Sequence, residues 1–203
     1  MAGATGYTGN ALVHELAGRG VHVVAHVRPD SARVEQWRAR FTAAGSTVVT
    51  APWNPVAMAD ALAAARPDAI YALLGTTRAR GGDYEGVDYG LTALLLHAAR
   101  TAAPAARFVY LSSLGVGPRA RGEYLKVRWR FEQELRASGQ PWTIVRPSFI
   151  TGPDRAETRR AERMGAAVVD GLLGVAAVLG ARTLRDRYAS ITAADLARAL
   201  ADL

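Results

Sequence analysis

The chain has 203 residues, 50% of them hydrophobic, and 25 Lys and Arg against 18 Asp and Glu, a net charge of +7. That length and apolar content can bury one substantial core, and the composition excludes a disordered or collagen-like chain. With no Cys, disulfides, thiolate catalysis and cysteine metal ligands are excluded, which fits a cytoplasmic protein.

The charge does not read as a nucleic-acid surface. Most of the cations are Arg scattered among Ala, as in "RVEQWRAR" and "RAETRRAER", the pattern of solvated helix faces. At the N-terminus, glycines stand where a signal peptide would carry its apolar stretch. The most apolar run, Gly165 to Ala181, is broken by Asp170 and falls short of the roughly 20 residues that span a bilayer. It reads as a packed helix or a substrate-side lid within 151–187, and no transmembrane segment is expected.

Gly3, Gly6 and Gly9 stand as G-x-x-G-x-x-G and run directly into a helical pattern, Asn10–Arg19, with Leu12, Val13 and Leu16 on one side. Glycine at these positions permits a tight turn and close backbone approach, while the helix N–H groups face a pyrophosphate. Such a turn normally follows a buried strand, yet only Met1 and Ala2 precede Gly3.

Downstream, Val21–Val27, Thr47–Ala51, Ala69–Gly75, Arg107–Ser113 and Trp142–Pro147 are nearly continuous in apolar character, as parallel strands covered on both faces are. Helical patterns alternate with them: Ser31–Phe41, Val56–Ala65, Val87–Arg100 and Glu123–Ala137. Asp186–Thr192 holds a short final strand, and a last helix follows Thr192, whose hydroxyl and Asp195 resemble a capping box. Strands alternating with helices of this length predict an α/β fold with a doubly wound parallel sheet of Rossmann type. With no repeat or linker, residues 1–203 form one domain.

The first strand of such a sheet lies in its middle. Its loss would leave backbone groups unpaired at roughly 1–3 kcal/mol each, against a stability of about 5–15 kcal/mol. The expectation is that the natural protein starts upstream, or that the neighbouring strands have closed the gap.

The end of the strand at Val21–Val27 is where the adenosine ribose of a dinucleotide is read. An acidic residue there suits a 2′-hydroxyl and Arg suits a 2′-phosphate. The sequence is "HVRPDS". Arg28 at the strand end, with Ser31 close behind, favours NADP(H) over NAD(H), and Asp30 lies past a proline. Trp53 and Asn54 are the candidates to cover the adenine, because Ala51 occupies the position where an acidic residue would meet it. His14, His22, His26 and His97 lack metal-ligand spacing, so no metal site is expected.

"GATGYTG", "LLGTTR", "VYLSSLGV", "YLKVR" and "IVRPSFITG" occur in this order over about three-quarters of the chain. Together they resemble the atypical and extended short-chain dehydrogenase/reductases, in particular the NAD(P)-binding branch with NmrA-like proteins and the Tat-interacting oxidoreductase. The resemblance implies that Ala4, Thr5, Tyr7 and Thr8 line the pyrophosphate turn, and that Gly75, Thr76 and Thr77 lie along the cofactor. It implies that Ser113, rather than Ser112, holds a substrate oxygen, that Tyr124 is the acid/base, and that Pro147 to Phe149 flank the nicotinamide and substrate. Helix-pair homodimers are common in the broader family.

Hydride transfer to a carbonyl leaves an alkoxide that needs a proton, which a phenol can supply. In the family, a Lys four residues after the Tyr supports the phenol and grips the nicotinamide ribose. Here that position is Arg128, and Lys126 points nearly to the opposite side of the helix. Arg keeps the charge but aims a bulkier planar fork, so the exchange is not conservative. Tyr124 also heads an apolar stripe with Val127, Phe131 and Leu135, the pattern of a core-facing Tyr. The leading reading is an NADP(H)-dependent oxidoreductase acting on a small carbonyl or alcohol, with Ser113, Tyr124 and Arg128 at the reacting centre. A non-catalytic, NmrA-like sensor of cofactor state stands beside it, as does a reductase that works without a Tyr–Lys pair.

Overall fold

The computed structural model describes residues 1–76, 81–151 and 190–203. Its strands all run parallel. Val24–His26 (β1) pairs with Thr47–Val49 (β2), and Ala69–Ala72 (β3) pairs with Arg107–Leu111 (β4), which pairs with Trp142–Val145 (β5). Ile150–Thr151 (β6) and Ile191–Thr192 (β7) form a separate short pair. The helices are Tyr7–Gly18 (α1), Val34–Ala43 (α2), Pro55–Ala65 (α3), Thr92–Ala102 (α4), Glu123–Ala137 (α5) and Ala193–Ala201 (α6), with a π-helical turn, Tyr84–Leu91, leading into α4. The doubly wound α/β architecture is therefore as the alternation of patterns requires, although the strands are shorter than their apolar runs.

Met1 and Ala2 join the two halves of the sheet. The Met1 nitrogen donates to the Val24 carbonyl at 2.7 Å, and the Met1 carbonyl accepts from the His26 N–H at 2.9 Å. On the other side, Ala2 donates to the Tyr71 carbonyl at 2.9 Å and accepts from the Leu73 N–H at 3.0 Å. Two residues thus serve as the central strand, and the spatial order becomes β2, β1, Met1–Ala2, β3, β4, β5. The neighbouring strands have not closed the gap, contrary to one of the two expected outcomes. A cavity of about 380 Å³ lies between β1 and β3 below Met1. Burial pushes the Met1 amino group down to about 6, because a cation is poorly solvated there.

The core is divided by the sheet into two clusters. The first is built on Met58, Ile70, Leu95, Phe108, Tyr110 and Phe131, and the second, on the opposite face, on Leu12, Val13, Leu16, Phe41, Val109 and Leu196. Side chains alternate across a strand, so Phe108 and Tyr110 of β4 enter the first while Val109 enters the second. α6 is docked by the Tyr71 hydroxyl, which donates to the Leu200 carbonyl at 3.0 Å, and by the Arg19–Asp202 ion pair. Thr192 caps α6, accepting from the Asp195 N–H at 3.1 Å, as its sequence position predicts. The lid segment 151–187 lies outside the described residues beyond Thr151.

The glycine turn is tight enough to require its residues. A Cβ on Gly9 would lie 2.1 Å from the Gly3 carbonyl oxygen. Gly3 has φ +80 and would bring a Cβ to 2.6 Å from the Leu73 oxygen. Gly9→Ala is expected to cost more than about 3 kcal/mol, since backbone would have to move. Gly18→Ala, in open space at the end of the same helix, should stay within about 1 kcal/mol of the parent. Urea unfolding of both variants measures the contrast.

Candidate active site

At the end of β3, Gly3 to Gly9 turn the chain into α1. Gly6 is the N-cap and supplies no side-chain cap, and the first turn carries no acidic residue. The helix N-terminus is therefore left open to an anion. Ala4, Thr8 and Gly9 are buried beneath the turn, Thr5 is exposed, and Gly6 and Tyr7 are half-buried. The glycines let the turn close on itself, since a Cβ at Gly3, Gly6 or Gly9 would meet the Leu73 or Gly3 carbonyl.

Arg28 and Ser31 lie on the loop between β1 and α2. Arg28 is exposed and sits 3.6 Å from Asp30, while the Ser31 hydroxyl accepts from the Arg33 N–H at 3.3 Å. The adenine candidates separate. Asn54 caps α3, accepting from the Ala57 N–H at 2.9 Å, so its side chain is committed to the helix. Trp53 packs edge-on against His26 at 4.8 Å, and its buried indole N–H finds no hydrogen-bond partner. His26 in turn contacts the Ala51 carbonyl through Nε2 at 2.7 Å.

The C-terminal ends of β3 and β4 meet at Arg128, which is buried at 5% exposure. One terminal nitrogen donates to the Leu111 carbonyl at 2.6 Å and to the Tyr110 hydroxyl at 3.3 Å. The other donates to Asp88 Oδ1 at 2.7 Å and to the Leu74 carbonyl at 3.3 Å. Asp88 also accepts from the Thr76 N–H at 2.9 Å. Burial pushes the Asp88 carboxyl above its ordinary value, while Arg128 and the Thr76 amide pull it down. Gly75 leaves room for the guanidinium, since a Cβ there would lie 2.9 Å from an Arg128 nitrogen.

Tyr124, in the first turn of α5, is half-buried. The Arg128 guanidinium lies 4.7 Å from its ring centroid, and Tyr84 of the π-helical turn stacks edge-on against it at 5.4 Å. Arg128 therefore faces the ring of Tyr124 rather than its hydroxyl. Val127, Phe131 and Leu135 of the same stripe are fully in the core. Lys126 is exposed, as its position two residues after Tyr124 requires.

The two serines after β4 have different partners. Ser112 is buried and donates to Glu132 Oε1 at 2.6 Å, so its hydroxyl is spent. Ser113 is half-buried and makes only a long 3.3 Å bond to the Leu114 carbonyl, so its hydroxyl can turn to another acceptor. The Leu114 N–H reaches the Pro147 carbonyl at 2.9 Å, tying the Ser113 loop to the loop after β5. Phe149 is 52% exposed. Thr77 lies outside the described residues. Asp88, Tyr84, Tyr110 and Glu132 carry site contacts that the sequence motifs do not assign. The signal for Asp88 is present in "VDY", where an acidic residue opens an otherwise apolar helical run.

The NAD(P)H-binding family matches residues 3–203. The chain belongs to that family. A mitochondrial fmp52 protein of Aspergillus niger is 34% identical over 113 residues, covering 54% of this chain and 46% of that protein. The chloroplastic divinyl chlorophyllide a 8-vinyl-reductase of Oryza sativa subsp. indica is 36% identical over 158 residues, covering 73% of this chain and 38% of that enzyme. The matches thus span about half or less of these two relatives. Among solved structures, ChuY, an anaerobillin reductase of Escherichia coli O157:H7, superposes with a TM-score of 0.65 at 19% identity, covering 99% of this chain and 87% of that one. Structures of pinoresinol-lariciresinol and phenylcoumaran benzylic ether reductases give 0.62 at 18% identity over 74% of this chain and 49% of theirs. These likenesses show a Rossmann-like fold. Among the described residues, no helix is long and apolar enough to cross a membrane and no cluster could hold a metal.

Glu132, like Asp88, has a side chain with no exposed surface among the described residues. Burial would raise its carboxyl, but hydrogen bonds from Arg146, Ser112 and Arg136 outweigh that and hold it below the ordinary range. A lowered native value stabilises the fold above the unfolded pKa of about 4.3, and this stability is lost as pH falls through the native value. Glu132→Gln should therefore cost about 2–3 kcal/mol at pH 7, the low side for a buried pair because both Arg partners reach solvent. It should also flatten the decline in stability between pH 5 and pH 3. Thermal melts of parent and variant across that range check both effects.

Proposed function

We propose that this chain is an NADP(H)-dependent oxidoreductase acting on a small carbonyl or its alcohol, with Tyr124 as acid/base and Ser113 as the group that orients the substrate oxygen. The observation that carries this reading is the division of labour after β4. Glu132 occupies Ser112, while Ser113 keeps a hydroxyl free to turn and Tyr124 stands on the adjoining helix with Arg128 against its ring. The recurrence of reductases among similar proteins supports the same class of reaction.

NADPH supplies the hydride when bound. Gly3, Thr5, Gly6, Tyr7, Thr8 and Gly9 would hold its pyrophosphate at the open end of α1, and Arg28 with Ser31 would meet the 2′-phosphate. Gly75, Thr76, Thr77 and Pro147 would run along the nicotinamide half. In this reading, the Ser113 hydroxyl donates to the substrate oxygen and Tyr124 gives up its proton as that oxygen becomes an alkoxide. Arg128 is a positioning residue. It fixes the ends of β3 and β4 and offers a positive charge to the Tyr124 ring when the proton leaves.

A second reading, a non-catalytic sensor of cofactor state, is favoured by one specific observation. Both terminal nitrogens of Arg128 are engaged within the protein, so the side chain is not poised to grip a ribose. Stopped-flow NADPH oxidation over a panel of carbonyls separates the two. Under the first reading, Tyr124→Phe lowers turnover by about 10²-fold and leaves NADPH affinity within twofold. Tight binding with no turnover across the panel supports the sensor. For the cofactor preference, Arg28→Ala is expected to weaken NADPH about tenfold and to leave NADH unchanged in a fluorescence titration.

A further inference from the structure

The π-helical turn and α5 meet in two matching rows. In a helical turn, residues four apart stand nearly above one another. Tyr84 and Asp88 form one such pair on the turn, and Tyr124 and Arg128 form one on α5. Tyr84 meets Tyr124 edge-on at 5.4 Å between ring centroids, and Asp88 meets Arg128 at 2.7 Å. The second row joins Glu85 and Tyr89 to Arg130 and Glu134. Glu85 pairs with Arg130, whose guanidinium lies 3.5 Å from the Tyr89 ring centroid, and the Tyr89 hydroxyl donates to Glu134 Oε2 at 2.8 Å. The start of the turn is itself fixed, since the Asp83 side chain accepts from the Gly86 N–H at 2.7 Å.

Tyr124 lies in the first turn of α5, where Gly122 is the N-cap and supplies no side-chain cap. The helix start therefore lacks one of its usual anchors. Among the described residues, neither the Tyr124 nor the Tyr84 hydroxyl has a hydrogen-bond partner, so the direction of the Tyr124 phenol is set through its ring. Arg128 lies 4.7 Å from that ring but belongs to the same helix, and it fixes Tyr124 only relative to α5. Tyr84 belongs to the turn whose Asp88 accepts from the Thr76 N–H at 2.9 Å. Thr76 follows the end of β3, where the nicotinamide half of the cofactor would run. Tyr84 is thus the ring contact that refers the phenol to the cofactor side of the site.

We propose that Tyr84 is a positioning residue for the acid/base, its ring holding the Tyr124 phenol at the angle from which its hydroxyl meets the substrate oxygen. This rests on the reading of Tyr124 as acid/base. The ring of Tyr84, and not its hydroxyl, carries the role. A Tyr124 ring free to swing would still exchange protons with water, but it would seldom stand within hydrogen-bond reach of the oxygen during hydride transfer. The effect therefore falls on turnover and not on cofactor binding.

The test compares Tyr84→Leu with Tyr84→Phe, each also in the Tyr124→Phe background, using NADPH and 4-nitrobenzaldehyde as the carbonyl probe. Tyr84→Leu should lower kcat about tenfold with NADPH affinity within twofold of the parent, while Tyr84→Phe keeps at least half of kcat. In the Tyr124→Phe background, Tyr84→Leu should change kcat less than twofold, because no phenol is left to place. A second measurement does not depend on turnover: nitration by tetranitromethane, read by mass on the tryptic peptide Gly122–Lys126. The rate at Tyr124 should rise at least fivefold in Tyr84→Leu and stay within twofold in Tyr84→Phe. Equal loss of kcat in the Phe and Leu variants would move the role to the hydroxyl and overturn the proposal. An undiminished cost of Tyr84→Leu without the Tyr124 phenol, or a loss of NADPH binding, would overturn it too. A parent inactive toward this probe and the rest of the carbonyl panel would remove the acid/base reading, and with it the effect of Tyr84 on turnover. The nitration rates would then still decide whether Tyr84 holds the Tyr124 ring, and unchanged rates would overturn that placement whatever the turnover.

Discussion

A buried guanidinium is the constraint around which the candidate site is arranged. Taking Arg128 out of water is costly unless its charge is paired and its donors are satisfied. The carboxylate of Asp88 pairs the charge and the carbonyls of Leu74 and Leu111 take the terminal N–H donors, while the buried Nε has no partner among the described residues. These partners come from the π-helical turn and from the ends of β3 and β4, so satisfying one side chain of α5 fixes three other pieces of chain. The Thr76 amide is drawn in through Asp88. Rigid placement of this kind is what a reacting centre needs, because small errors in position cost large factors in rate.

Glu132 has the complementary role, a single turn further along α5. It gathers Ser112, Arg136 and Arg146 and so ties β4, α5 and the end of β5 together. α5 thus carries one buried cation and one buried anion four residues apart on the same face. Each is neutralised by its own partners rather than by the other. The apolar stripe of Val127, Phe131 and Leu135 packs between the elements that these two charges hold in register.

Much of the fold was legible because both faces of a parallel sheet are covered. That makes each strand a continuous apolar run, and the five runs read from the sequence are the five principal strands. Their lengths were less legible. "VHVVAHV" contributes only Val24–His26 as a strand, although the ladder bonds to β2 reach one residue further at each end, from the Thr47 N–H to the Val23 carbonyl and from the Val27 N–H to the Val49 carbonyl. The glycine turn was readable from spacing, and the crowding at Gly9 supplies its physical reason. The preference for Ser113 over Ser112 rests on a motif, while Glu132, which takes up the Ser112 hydroxyl, lies 20 residues further on from Ser112. Nothing local tells which buried acid will meet which buried base. Asp88 and Arg128, separated by 40 residues, become partners only once β3, β4 and α5 are in place.

The surplus of arginine has a different meaning once the side chains are placed. Arg33 and Arg40 flank the Trp37 ring, Arg130 lies over Tyr89, and Arg136 lies between Trp129 and Trp142. Contacts of a cation with a ring face act over a few ångströms and are partly desolvated. The mutual repulsion of a +7 surface acts over longer distances and fades within about 10 Å at 0.1 M salt. Salt therefore weakens what pushes this molecule apart more than what holds its arginines in place.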